Sequence, residues 1–165
     1  MSTARSASER TLRIARRDNA VDDARKFAQL AVSYCTPECR EAVSLAVCEL
    51  GENLIKYAEK TDAAEAGTIG VSIDGPTVRV RAVNRVSSLS DAQRVAEIVT
   101  QLAGAGDRVG ELYRSRLNEL FKNPTLPRAQ LGLLRMVFEG GFRLTCTFQA
   151  PELQILAERS CGQHA

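Results

Sequence analysis

Between residues 38 and 60, Val43, Ala46, Val47, Leu50, Leu54, Tyr57 and Ala58 recur at helical spacing along one stripe. A stripe of that length predicts a long helix laid against a core, so the rest of the chain has to supply the layer that covers it. Pro37 favours a helix start at this point, with Thr36 as its N-cap. Glu49, Asn53 and Lys56 fall to one side of the stripe, a border position that can face a pocket beside the core.

The covering layer is legible downstream. GTIGVSI and TVRVRAV flank the turn Asp74-Gly75-Pro76, with Val78, Val80 and Ala82 pointing one way and Arg79 and Arg81 the other. That alternation is a β-hairpin signal. FRLTCTF and ELQILAE form a second hairpin about Ala150-Pro151, and TLRIARR near the start reads as a short strand. Asp18 and Asn19 are cap candidates for a helix carrying Ala24, Phe27, Ala28, Ala31 and Val32. Residues 89–123 read as mainly helical with a break near 104–110, closed by Pro124 and Pro127, and LGLLRMVFEGG is a last helix with a glycine stop. The expectation is a layered α+β domain with antiparallel strands over residues 11–160. Residues 1–10, small and polar, are expected to form a disordered arm.

Charge and rare residues narrow the chemistry. The net charge is +2 with Lys and Arg spread along the chain, which gives no electrostatic case for a nucleic-acid surface. No apolar run approaches the roughly 20 residues of a membrane span, and no signal-peptide pattern follows the polar start, so a cytoplasmic protein is expected. Five cysteines without a CxxC pair predict reduced, mostly buried thiols in place of a disulfide framework or zinc site. The single histidine is His164, which removes Ser-His-Asp and Cys-His catalysis from a folded core.

The order of elements, together with CELGENLIKYA on the second helix, resembles the GHKL ATPase superfamily of sensor-kinase catalytic domains and anti-sigma-factor serine kinases. In that superfamily a helix bears a Glu, an Asn four residues later, then a basic residue and an aromatic or His, here Glu49, Asn53, Lys56 and Tyr57. The resemblance implies a two-layer α/β sandwich whose mixed, mainly antiparallel sheet carries helices on one face, with ATP and Mg²⁺ as cofactors. Residues i and i+4 share a helical face. Asn53 would offer the metal an amide oxygen, Glu49 would act as the base, and Lys56 would touch phosphate. Members carry GLGL-like residues at a later helix start; this chain has Gln130-Leu131-Gly132-Leu133-Leu134, with one glycine left. An Asp that binds adenine in relatives is replaced by Asn84, the nearby glycines are missing, and the residues 89–123 stand as a helical insert where a mobile lid would be. These departures look most like the small stand-alone regulators that include the SiaB-type kinases.

Two functions follow from the resemblance. One is a protein serine/threonine kinase in a partner-switching pathway, acting on a small regulatory protein such as a STAS-type antagonist or SiaC-like phosphoprotein, or gripping a sigma factor, with homodimerisation implied by analogy. The other is a degenerate scaffold that sequesters such a partner without ATP turnover. A plainer reading stands beside both: Glu49, Glu52 and Lys56 as surface pairing, Gly132 as close helix packing, and an unrelated α+β structural domain.

Overall fold

The computed structural model describes residues 9–58, 64–126 and 129–161. Its elements run β1 (Arg10–Ala15), α1 (Ala20–Ala31), α2 (Pro37–Ala58), β2 (Glu65–Asp74), β3 (Thr77–Arg85), α3 (Leu89–Ala105), a 3-10 turn (Gly106–Arg108), α4 (Val109–Lys122), α5 (Ala129–Phe138), β4 (Arg143–Gln149) and β5 (Glu152–Ser160). The five strands form one sheet in the order β1-β2-β3-β5-β4. All four pairings are antiparallel, as the order of elements predicts, whereas the mixed sheet that the family resemblance implies is replaced by a purely antiparallel one. The reason is connectivity: two tight hairpins supply four of the strands, and β1 and β5 add to their edges in the same sense.

Strand alternation decides which face meets the helices. Val78, Val80 and Ala82 of β3 are buried and pack with Ile69 and Val71 of β2 and Leu153 and Ile155 of β5. Arg79 and Arg81 lie on the opposite face, paired with Glu158 and Glu9. Val43, Ala46, Val47, Leu50 and Leu54 form the buried stripe of α2, which packs on α1, α5, β2 and β3. The stripe therefore does what its periodicity predicts, and burial of Leu50 alone contributes about 2 kcal/mol. The side chain of Ala58 and the predicted continuation to 59 and 60 lie outside the described residues, as do Pro127 and His164.

Local signals hold where a side chain can act on its own backbone. Cys39 N–H donates to Thr36 Oγ1 at 3.2 Å, the expected N-cap of α2. Asp91 N–H donates to Ser88 Oγ at 3.1 Å, and Asp91 itself stands at the positive end of α3. Asn19 is the N-cap position of α1 but makes no side-chain cap bond. The 3-10 turn at 106–108 is the break foreseen near 104–110, placed by Gly106 with φ of 51°.

Two expectations are corrected. The disordered arm predicted over 1–10 does not hold for its last two residues: Arg10 pairs with Val71, and the Glu9 carboxylate crosses to Arg81 through the space that a side chain at Gly70 would fill; residues 1–8 lie outside the described ones. Cys39 and Cys161, expected as thiols, form a disulfide with Cα atoms 5.7 Å apart. It joins the first turn of α2 to the end of β5 across 122 residues, a non-local meeting that cysteine spacing could not disclose. Cys35, Cys48 and Cys146 are free thiols.

Candidate functional site

Helix α2 carries the candidate groups on one flank. Glu49 and Asn53 sit one turn apart, both half-buried, and Lys56 is exposed. The Glu49 side chain is 14% exposed, and its Oε1 accepts a hydrogen bond from Arg135 Nη1 at 2.6 Å. Arg135 belongs to α5, whose packing on α2 delivers the guanidinium.

The close approach of the two helices is set by Gly132. A Cβ there would run into Glu49 Oε2 and lie 3.3 Å from Glu49 Cδ, so the missing side chain is the room that the carboxylate occupies. The structure thus brings Glu49 and Gly132, expected from separate motifs, into one place. Leu133 is buried in the core, Leu131 is half-buried, and α5 starts at Ala129. The N–H groups left free by the helix are those of its first turn, up to Leu131, while Gly132 is already in the body. Gly132 therefore serves Glu49 in this conformation, and the space that a phosphate cradle would need above it is filled.

Burial pushes the Glu49 carboxyl above its ordinary value, opposed by the Arg135 charge and assisted by the nearby Glu52. Arg135 reaches further: its Nη2 and Nε lie 3.3 and 3.4 Å from Glu139 Oε2. Tyr113 of α4 donates its hydroxyl to Glu139 Oε1 at 2.6 Å, and that bond holds the Glu139 carboxyl below its ordinary value. Arg135 and Glu139 also line a cleft of 440 Å³ with Glu38, Glu41, Leu45 and Arg159.

Asn84, near the end of β3, lies close to Leu54 of the α2 stripe, and the cleft it borders is lined by none of Glu49, Asn53 and Lys56. Asn84 is 7% exposed, and its Nδ2 has no hydrogen-bond partner. Gly67 brings it to α2: a Cβ at Gly67 would lie 3.1 Å from both Asn84 Cβ and Leu54 Cδ2. Asn84, Gly67 and Arg85 border a cleft of 520 Å³ with Thr68, Val83 and Glu152, within the size range of small-ligand sites. A buried amide donor without a partner is an unmet demand for an acceptor.

The residues fit a magnesium nucleotide in part. Asn84 offers an unpaired amide at a cleft of suitable size, and Asn53 offers an amide oxygen one turn from the Glu49 carboxylate, which Arg135 occupies. No cluster of three or more His, Cys, Asp or Glu able to hold a metal occurs among the described residues. A hard divalent ion would therefore take most of its ligands from phosphate and water, as Mg²⁺ ordinarily does.

Sequence reading missed Arg135, Glu139, Tyr113 and Gly67. The pair Arg135 and Glu139 had a local signal in its i,i+4 spacing. Tyr113 and Gly67 had none, since each acts only through a tertiary contact. No helix among the described residues is long and apolar enough to cross a membrane. Comparison with protein-family models and with curated proteins finds no match to this chain.

Proposed function

We propose that the chain is a bacterial signalling regulator of GHKL type that binds Mg·ATP along the Glu49 and Asn53 flank of α2 and phosphorylates a serine or threonine of a small partner protein. The observation that carries this reading is the convergence of Glu49, Gly132 and Arg135, which joins two distant sequence motifs and adds a guanidinium. Glu49 takes the proton of the partner's hydroxyl; its oxygen bonds to the γ-phosphorus as the bond to ADP breaks. Burial suits Glu49 to that role by raising its proton affinity above that of an ordinary carboxylate. Asn53 would hold the magnesium ion, which would supply charge neutralisation at the phosphate oxygens. Asn84 reads the base with its unpaired amide, and Lys56 reaches the phosphates from the exposed side. The partner belongs to the class of STAS-type antagonists, sigma factors or SiaC-like phosphoproteins, the protein works in the cytoplasm, and it does so as a homodimer.

A second reading has its own observation. Arg135 already neutralises Glu49 at 2.6 Å, and Gly132 no longer leaves room above α5. A scaffold that holds a regulatory partner without turning over ATP accounts for both. Calorimetric titration with Mg·ATP and Mg·ADP separates the two. Saturable heat with both nucleotides is expected; no heat and no thermal shift at millimolar nucleotide would leave the scaffold reading standing alone.

A further inference from the structure

Arg135 sits between two carboxylates with unequal claims on it. Glu49, 14% exposed, takes Nη1 at 2.6 Å, while Glu139, 39% exposed, takes Nη2 and Nε at 3.3 and 3.4 Å. The weaker partner is itself engaged, because the Tyr113 hydroxyl donates to its other oxygen at 2.6 Å. Tyr113 comes from α4, the outermost helix, whose one buried residue is Val109 and which packs chiefly on α5. Near Glu139 that packing consists of the Tyr113 ring against Phe138, with centroids 5.2 Å apart, and of Gly110, where an added Cβ would lie 3.0 Å from the Phe138 ring.

We propose that Arg135 is a shared clamp through which α4 controls whether Glu49 is paired or free. With Tyr113 on Glu139, part of that carboxylate's capacity is taken up, and the guanidinium stays on Glu49. When α4 shifts and Tyr113 leaves, Glu139 attracts Arg135 with its full charge and draws it toward solvent. Glu49 is then a half-buried carboxylate without its cation, and a stronger base. The regulatory meaning rests on the phosphoryl-transfer reading, in which the clamp keeps the base idle until α4 is moved. The groups acting on Glu49 are Arg135 and Glu139 from α5 and Glu52 from its own helix.

The test is a carboxyl-carbon NMR titration of Glu49, assigned by the signal lost in Glu49→Gln, in wild type, Arg135→Gln, Glu139→Gln and Tyr113→Phe. Arg135→Gln should raise the Glu49 midpoint by about one pH unit, the loss of a cation within 4 Å. Glu139→Gln should lower it, because a competitor and a repelling charge both disappear. Tyr113→Phe, which keeps the ring on Phe138 and so the fold, should raise it. Unchanged midpoints in Glu139→Gln and Tyr113→Phe would overturn the clamp.

Basal hydrolysis of Mg·ATP gives the second arm. Faster turnover in Arg135→Gln is expected of a released base; slower turnover with nucleotide binding intact would assign Arg135 to the phosphates and refute its role as a restraint. Absence of nucleotide binding in every variant would sink the phosphoryl-transfer reading, while the titration would still decide the coupling.

Discussion

Gly132→Ala separates the two purposes that a glycine can have on α5. The added Cβ would meet Glu49 Oε2, with Glu49 Cδ at 3.3 Å and Glu49 Cβ at 3.6 Å, so the obstacle is a side chain and not a backbone. Alanine in a helix body gains about 1 kcal/mol over glycine. Against that stands the contact of Glu49 with Arg135, which must break for the carboxylate to move. Arg135 is 38% exposed, so this pair is worth about 1 kcal/mol or less. The two terms nearly cancel, and Gly132→Ala should leave stability within about 1 kcal/mol of wild type. In a Glu49→Ala background only the ordinary contact with Cβ remains, and the same substitution should stabilise by the full amount, about 1 kcal/mol. Urea unfolding of the four proteins of this cycle measures the difference as a coupling of about 1 kcal/mol. A loss of more than about 3 kcal/mol that persists without Glu49 would show that the helices meet through the Gly132 backbone, and the account of this glycine would be wrong.

The Cys39–Cys161 bridge closes 122 residues, and loss of the loop constraint should cost about 4.9 kcal/mol. Reduction should therefore lower Tm by roughly 10–20 °C in scanning calorimetry, with two thiols appearing in maleimide mass analysis; an unchanged Tm would contradict the bridge's role. Glu49→Gln tests the buried carboxyl through pH. Burial raises the folded value of Glu49 above the ordinary 4.5, so ionisation opposes folding: the penalty is absent below that value and complete above the raised one. The stability of Glu49→Gln relative to wild type should rise with pH across that window in urea midpoints, and a fall would reverse the sign assigned to burial.

Much of the fold was legible because it depends on near neighbours in sequence. The α2 stripe, the Thr36 cap, the hairpin turn at Gly75 and the break at Gly106 are each decided within a few residues, and the structure has all four. The antiparallel sense of the strands was legible in the hairpins, but the strand order was not, because the pairing of β1 with β2 and of β5 with β3 is a tertiary choice. The same limit applies at the site. Glu49, Asn53, Gly132 and Asn84 could be singled out from local patterns, whereas the guanidinium that occupies Glu49 arrives from 86 residues away. The cystine was missed because an odd cysteine count without paired spacing carries no information on which two thiols the fold will bring together.

Magnesium dependence of ATP binding, measured by calorimetry for wild type and Asn53→Ala, addresses the α2 flank most directly. The account predicts that wild type binds ATP more tightly with magnesium than with EDTA, and that Asn53→Ala loses this difference while keeping metal-free binding through Asn84. Binding whose magnesium dependence survives in Asn53→Ala, or no binding of ATP to wild type under either condition, would contradict it.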